Sequence, residues 1–191
     1  GEASGHRSLA SGEAPIRMRF GAPCLLGIPY DESSSFLRGA AGAPPLIRQA
    51  LRSPSTNSWT EALVDVSGRG VLEDAGDVEL DVAHDPRQVI SYAIAEIAEA
   101  GGRPISLGGD HSVTFPILRA LRPHYPRLTV LHIDAHHDIY DSFEGDPFSH
   151  ASPFARIMEA GLCDRLVQVG IRAMSPPQRV QVERFGVDVI D

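Results

Sequence analysis

The stretch LTVLHIDAHHDIYDSFEGDPFSH, residues 128–150, changes chemistry abruptly in its middle. Residues 128–133 form a short apolar, β-branched run that ends in a cluster of carboxylates and imidazoles. That is the pattern of a buried strand delivering ligands at its carboxyl end. Asp134, His136 and Asp138 sit at alternate positions. In an extended backbone alternate side chains share a face, so the spacing predicts two carboxylates and one imidazole converging on one small volume. Packed together without a cation, such groups crowd like charges at low dielectric; a divalent metal turns that repulsion into coordination.

A solvated loop can also carry Asp and His with nothing to hold, and one such motif would not separate the two readings. A second element upstream does. Residues 106–111, SLGGDH, repeat the architecture: an apolar run at 103–107 feeds a Gly-Gly turn, then an acid and an imidazole, then a helical pattern over 112–121. Two strand ends presenting Asp and His to one crevice predict a site.

Gly108-Gly109-Asp110-His111, Asp134-Ala135-His136-His137-Asp138 and the run IYDSFEGDPFSH at 139–150 resemble the ureohydrolases, the binuclear manganese enzymes that include arginase and agmatinase. Residues 138–161, with SHASPFARIME at 149–159, are most similar to the plant-type arginases. The resemblance runs from about Cys24 to the last residue, with several motifs in the family's order. It implies two Mn2+ ions, with His111 and Asp138 on one, His136 on the other and Asp134 bridging them. Asp110 would orient the motif without binding metal. His150 would be the catalytic proton-transfer residue; its alternative role is to cap a helix starting near Ala151. His132, on the strand, is expected to be a packed core histidine, and His137 to alternate away from the ligand face.

Ureohydrolases carry, further along, a Ser-x-Asp-x-Asp strand end with two more aspartate ligands and later a glutamate for the guanidinium; neither lies in these 191 residues. The resemblance therefore implies an arginase-type domain, residues 22–191, incomplete on its C-terminal side. The chain is expected to be either a fragment of a longer enzyme or a natural truncation.

The chemistry has a reason to need metal. A guanidinium carbon is a poor electrophile and water a poor nucleophile, while a cation can lower the pKa of bound water from about 15.7 towards ~7. Mixed His/carboxylate ligation suits manganese better than soft thiolate sites do, although the ligand types also admit zinc or iron. The activity implied by the resemblance is hydrolysis of a guanidino C–N bond with release of urea. L-Arginine, giving ornithine, is slightly favoured over agmatine, giving putrescine. Asp141, Glu144 and Asp146 supply acids that could meet an amine of either substrate. Two other readings remain: a truncated, non-catalytic subunit, and a mononuclear zinc hydrolase of deacetylase-like architecture.

The remaining sequence supports one domain. A hydrophobic content of 42% over 191 residues can bury a real core, and no apolar run is long enough to span a bilayer. Seventeen Lys and Arg against 25 Asp and Glu argue against a nucleic-acid surface and suit a small cationic guanidino substrate. Cys24 and Cys163 show no zinc spacing and are expected to be reduced, in a cytoplasmic protein. Residues 1–21, rich in Gly, Ser, Ala and Glu, are read as a mobile N-terminal arm; Arg7, Arg17 and Arg19 leave an organellar matrix open, with Glu2 and Glu13 against it. A homo-oligomer, trimer or hexamer, is implied by the resemblance alone.

Strand patterns are predicted at 23–29, 103–107, 128–133, 166–170 and 187–190, with a short strand and turn over 71–78. Helices are predicted at 40–51, 86–100, 112–121, 151–160 and 176–185, the clearest being 86–100 with apolar residues at helical spacing. This alternation implies an α/β, three-layer fold with a parallel sheet flanked by helices. Asp74 and Asp77 are read as turn formers beside a glycine, not as metal ligands.

Overall fold

Short apolar runs separated by amphipathic segments can close a sheet only through helical crossovers, which makes the strands parallel. The computed structural model, which describes residues 19–68 and 70–190, follows this rule. Strand β1 (Pro23–Ile28) leads through helix α1 (Ala43–Leu51) to β2 (Glu73–Asp77), and helix α2 (Pro86–Glu99) leads to β3 (Arg103–Gly108). Helix α3 (Thr114–Leu121) precedes β4 (Thr129–Ile133), α4 (Pro153–Glu159) precedes β5 (Arg165–Val169), and α5 (Pro176–Phe185) precedes β6 (Asp188–Ile190). Each lies where the periodicity put it, with shifts of up to three residues at the ends. No helix among the described residues is long and apolar enough to cross a membrane.

Helix α2 shows how local chemistry sets an element. Asp85 caps it by accepting from the Arg87 amide at 3.0 Å, and Pro86 occupies the first turn, where its missing N–H costs nothing. Ile90, Ala93, Ile94 and Ile97 recur on one face and are fully buried against Cys24, Leu26 and Ile28. Each buried isoleucine contributes about 1.5–3 kcal/mol, enough to fix which face turns inward. Gly101, at φ +81°, ends the helix, and the Gly102 amide reaches back to the Ile97 carbonyl at 2.9 Å. A second core gathers Leu118, Ile139, Phe154, Ile157 and Leu166 between α3, α4 and β5. Cys24 and Cys163 are both buried free thiols, one in each core.

Two features differ from expectation. The strands form two parallel three-stranded sheets, ordered β2-β1-β3 and β4-β5-β6, with no ladder between β3 and β4 among the described residues. Periodicity identifies strands but not their neighbours, and the facing edges keep apolar side chains exposed: Ile105 at 43%, Leu131 at 61% and Ile133 at 75%. Asp74 and Asp77 lie in β2 rather than a turn, because Arg48 of α1 pairs with both and Arg52 pairs with Asp74 at 2.8 Å. Most of the expected N-terminal arm falls on residues 1–18, outside the described residues. Its last residues are fixed by hydrogen bonds: Gly21 donates to the Gly101 carbonyl at 2.7 Å and Ala22 to that of Arg19 at 2.9 Å.

The entry to β4 is fastened by one carboxylate. Asp164 accepts from both terminal nitrogens of Arg122, at 2.6 and 3.1 Å, and from the Leu128 amide at 2.7 Å. Arg122 and then that amide hold the Asp164 pKa down to about 2. A carboxylate depressed on folding adds stability above its unfolded pKa of about 3.9, and that stability is lost as pH falls through the folded value. Asp164→Asn is therefore expected to lower the urea midpoint at pH 6, with the gap from wild type closing as pH approaches 2; a gap independent of pH would contradict this.

Candidate metal centre

The first arm of the site is built by glycine. Gly109 donates to the Ile28 carbonyl at 3.2 Å and Asp110 to that of Tyr30 at 2.9 Å, which lays the end of β3 flat against the end of β1. A Cβ at Gly109 would overlap the Tyr30 carbonyl, so only glycine allows this approach. Asp110, 6% exposed, is consumed by donors: the Ser33 amide at 3.0 Å, Ser34 Oγ at 3.3 Å and the Ser112 amide at 3.0 Å. It ties the loop after β1 to the turn at His111–Val113 that opens α3, and presents His111 to the crevice.

The second arm brings its donors together by a different backbone from the extended one the spacing suggested. β4 ends at Ile133, the chain bends at Asp134 and Ala135, and His136 makes an isolated parallel bridge to Ala173. Asp138 takes a left-handed φ of +44°, a conformation aspartate tolerates better than most residues. This turn, rather than simple alternation, carries its carboxylate to His111: Nδ1 and Oδ2 lie 2.6 Å apart. The Asp134 Oδ1 accepts from the His136 amide at 2.8 Å and lies 3.4 Å from His136 Nδ1.

His132 is buried in the core as expected, yet its Nε2 faces the site 3.5 Å from Asp134 Oδ2. One ligand atom from each of His111, His132 and Asp134 lies within 4.8 Å of the other two. Burial, reinforced by the neighbouring His111, pushes His132 down to about 4 against the pull of Asp134 and Asp138. Burial opposes ionisation of Asp134 as well, but the His136 amide and the surrounding imidazoles outweigh it and hold its pKa below the ordinary value. A carboxylate kept ionised among imidazole nitrogens is a donor set for a divalent cation, with no thiolate contributing. His137 points the other way, fully buried, with Nδ1 2.6 Å from Gln168 Oε1.

His150 lies across the cleft from this cluster. Its amide donates to the Ser33 carbonyl at 3.1 Å, and its Nε2 is 2.8 Å from Ser35 Oγ. A cavity of about 380 Å³ is lined by Ser35, His136, Asp138, Tyr140, His150 and Ser175, among others. Sequence reading missed Ser35 and Gln168. A serine in a polar loop carries no signal by itself, but a glutamine inside the apolar strand Leu166-Val167-Gln168-Val169 was legible as a buried polar residue needing partners.

Parallel strands with helical crossovers and an Asp/His group at their carboxyl ends define a class: an α/β protein with a group of side chains able to hold a divalent metal beside a cleft. Residues 22–191 match the arginase family, and the chain belongs to it. Mitochondrial arginase 1 of rice (Oryza sativa subsp. indica) is 46% identical over 174 residues, 86% of this chain and 51% of that protein. Mitochondrial arginase 1 of Arabidopsis thaliana is 44% identical over 194 residues, 95% of this chain and 56% of its own length. The solved structure of arginase from Medicago truncatula superposes with a TM-score of 0.82 at 42% identity, over 88% of this chain and 56% of that one. The chain thus spans about half the length of the relatives it matches.

Because the first arm depends on the absence of a side chain at Gly109, Gly109→Ala is expected to cost about 1–3 kcal/mol of stability by overpacking, and to shift Asp110 and His111. Urea unfolding together with Mn2+ titration checks this; unchanged stability and metal affinity would show that the close approach is dispensable.

Proposed function

We propose that this chain carries the metal-binding half of a ureohydrolase site that hydrolyses a guanidino C–N bond with release of urea, and that L-arginine is preferred over agmatine. The observations that support it most are the His111–Asp138 contact at 2.6 Å, Asp134 grouped with His111 and lying 3.4 Å from His136 Nδ1, and a cleft lined by His136, Asp138 and His150. His111 and Asp138 would hold one manganese ion, His136 the other, with Asp134 between them. Bound there, Mn2+ would supply Lewis-acid and water-activating chemistry. The donors must release their protons to do this, so affinity rises with pH.

The protein's own groups account for the rest. His150, held by Ser35 and Ser33, can pass a proton to the leaving amine. Asp110 acts through the Ser33 and Ser34 contacts, setting the loop against which His150 rests. In the loop at the cleft, Asp141 is paired with Arg156 at 2.9 Å and Asp146 accepts from the Phe148 amide at 2.8 Å. Glu144 is left to meet a substrate amine. The names of the rice, Arabidopsis and Medicago relatives support arginine over agmatine.

Four donors shared between two cations leave each with few protein ligands, and this favours a second reading, a non-catalytic subunit that binds at most one ion. Metal stoichiometry and urea release, with arginine and agmatine run in parallel and Mn2+ added, separate the two: two ions per chain and urea from arginine support the first. Asp134→Ala is expected to lose both metal and activity. His150→Ala is expected to keep its metal and lower kcat by about 10²–10⁴-fold, the usual worth of general acid–base catalysis. Full activity in Asp134→Ala would sink the bridging assignment.

A further inference from the structure

Gln168 is a fully buried glutamine in the middle of β5, set between two histidines, and its bonds dictate the protonation of both. Its Nε2 lies 2.8 Å from the His137 backbone carbonyl, which can only accept, so this end of the amide is the NH2 group. The same nitrogen lies 3.1 Å from His132 Nδ1. Its second N–H donates there, so His132 Nδ1 carries a lone pair. The other end of the amide, Oε1, can only accept, so His137 Nδ1, at 2.6 Å, is the donor. One backbone carbonyl thereby sets two tautomers: His137 is protonated on Nδ1 and His132 on Nε2.

The consequence falls on the metal centre. His132 Nε2 has no hydrogen-bond partner and lies 3.5 Å from Asp134 Oδ2. By distance alone His132 belongs with His111 and Asp134 as a third metal donor. A protonated Nε2 cannot ligate; it can only donate towards the carboxylate. We infer that Gln168 is a positioning residue that holds His132 as an Nε2–H donor to Asp134, orienting that carboxylate and keeping His132 out of the coordination sphere. This rests on the metal reading proposed above and deepens it. Partners of this kind, one bond removed from the metal, are worth about 10–100-fold in affinity.

The tautomers can be read directly in the metal-free, ¹⁵N-labelled chain from long-range ¹⁵N–¹H correlations of the histidine rings. The wild type is expected to show His132 with Nε2 protonated and His137 with Nδ1 protonated. In Gln168→Glu the side chain has no N–H to give, so His132 is expected to change to the Nδ1–H form. In Gln168→Leu, Mn2+ affinity, followed by electron paramagnetic resonance of the free ion, is expected to fall about 10–100-fold. A wild-type His132 protonated on Nδ1, or an unchanged tautomer in Gln168→Glu, would overturn the wiring without any need for a variant to bind metal. Unchanged Mn2+ affinity in Gln168→Leu would overturn the positioning role. A wild-type chain that takes up no Mn2+ would overturn the positioning role together with the metal reading, and the wild-type tautomers would still report separately on the histidine wiring.

Discussion

His111 and Asp138 come from opposite halves of the molecule, one following β3 and the other following β4, and their side chains meet at 2.6 Å. No ladder joins these two strands among the described residues, so the site cannot inherit its geometry from sheet hydrogen bonding. It depends on α3, which starts at the His111 turn and packs against α4, and on Phe154, whose ring lies edge-on to His111 at 5.6 Å between centroids. Packing of the second core is thus what brings these two donors within hydrogen-bond reach.

The same economy of parts links the proton-transfer candidate to the donor cluster. Asp110 binds Ser33 and Ser34 on one side and Ser112 on the other, while Ser33 and Ser35 hold His150. A buried carboxylate with all its acceptor sites engaged contributes rigidity; one left unpaired would be strongly destabilising. Asp110 therefore couples the loop after β1 to the helix carrying His111, and the cleft is shaped by a residue that touches no substrate.

Much of this was legible along the chain. The strand ends at Gly108-Gly109 and Ile133, the helix at Pro86–Glu99 with its Gly101 stop, and the clustering of Asp and His along the chain follow from periodicity, turn chemistry and charge. The acids of β2 were misjudged for a physical reason. Exposed Asp beside Gly favours a turn locally, but Arg48 and Arg52, more than twenty residues away, pay its extended conformation back in ion pairs.

The amino-acid sequence by itself determined which segments are strands and helices and where along the chain Asp and His cluster, because those depend on neighbours a few residues apart. Only the tertiary structure decided that the strands divide into two sheets, that Asp138 reaches His111 through a left-handed turn, and that Gln168 sets the protons of His132 and His137. Each of these is a contact between residues more than twenty positions apart, or a backbone angle that accompanies one, and no local pattern encodes a partner at that distance.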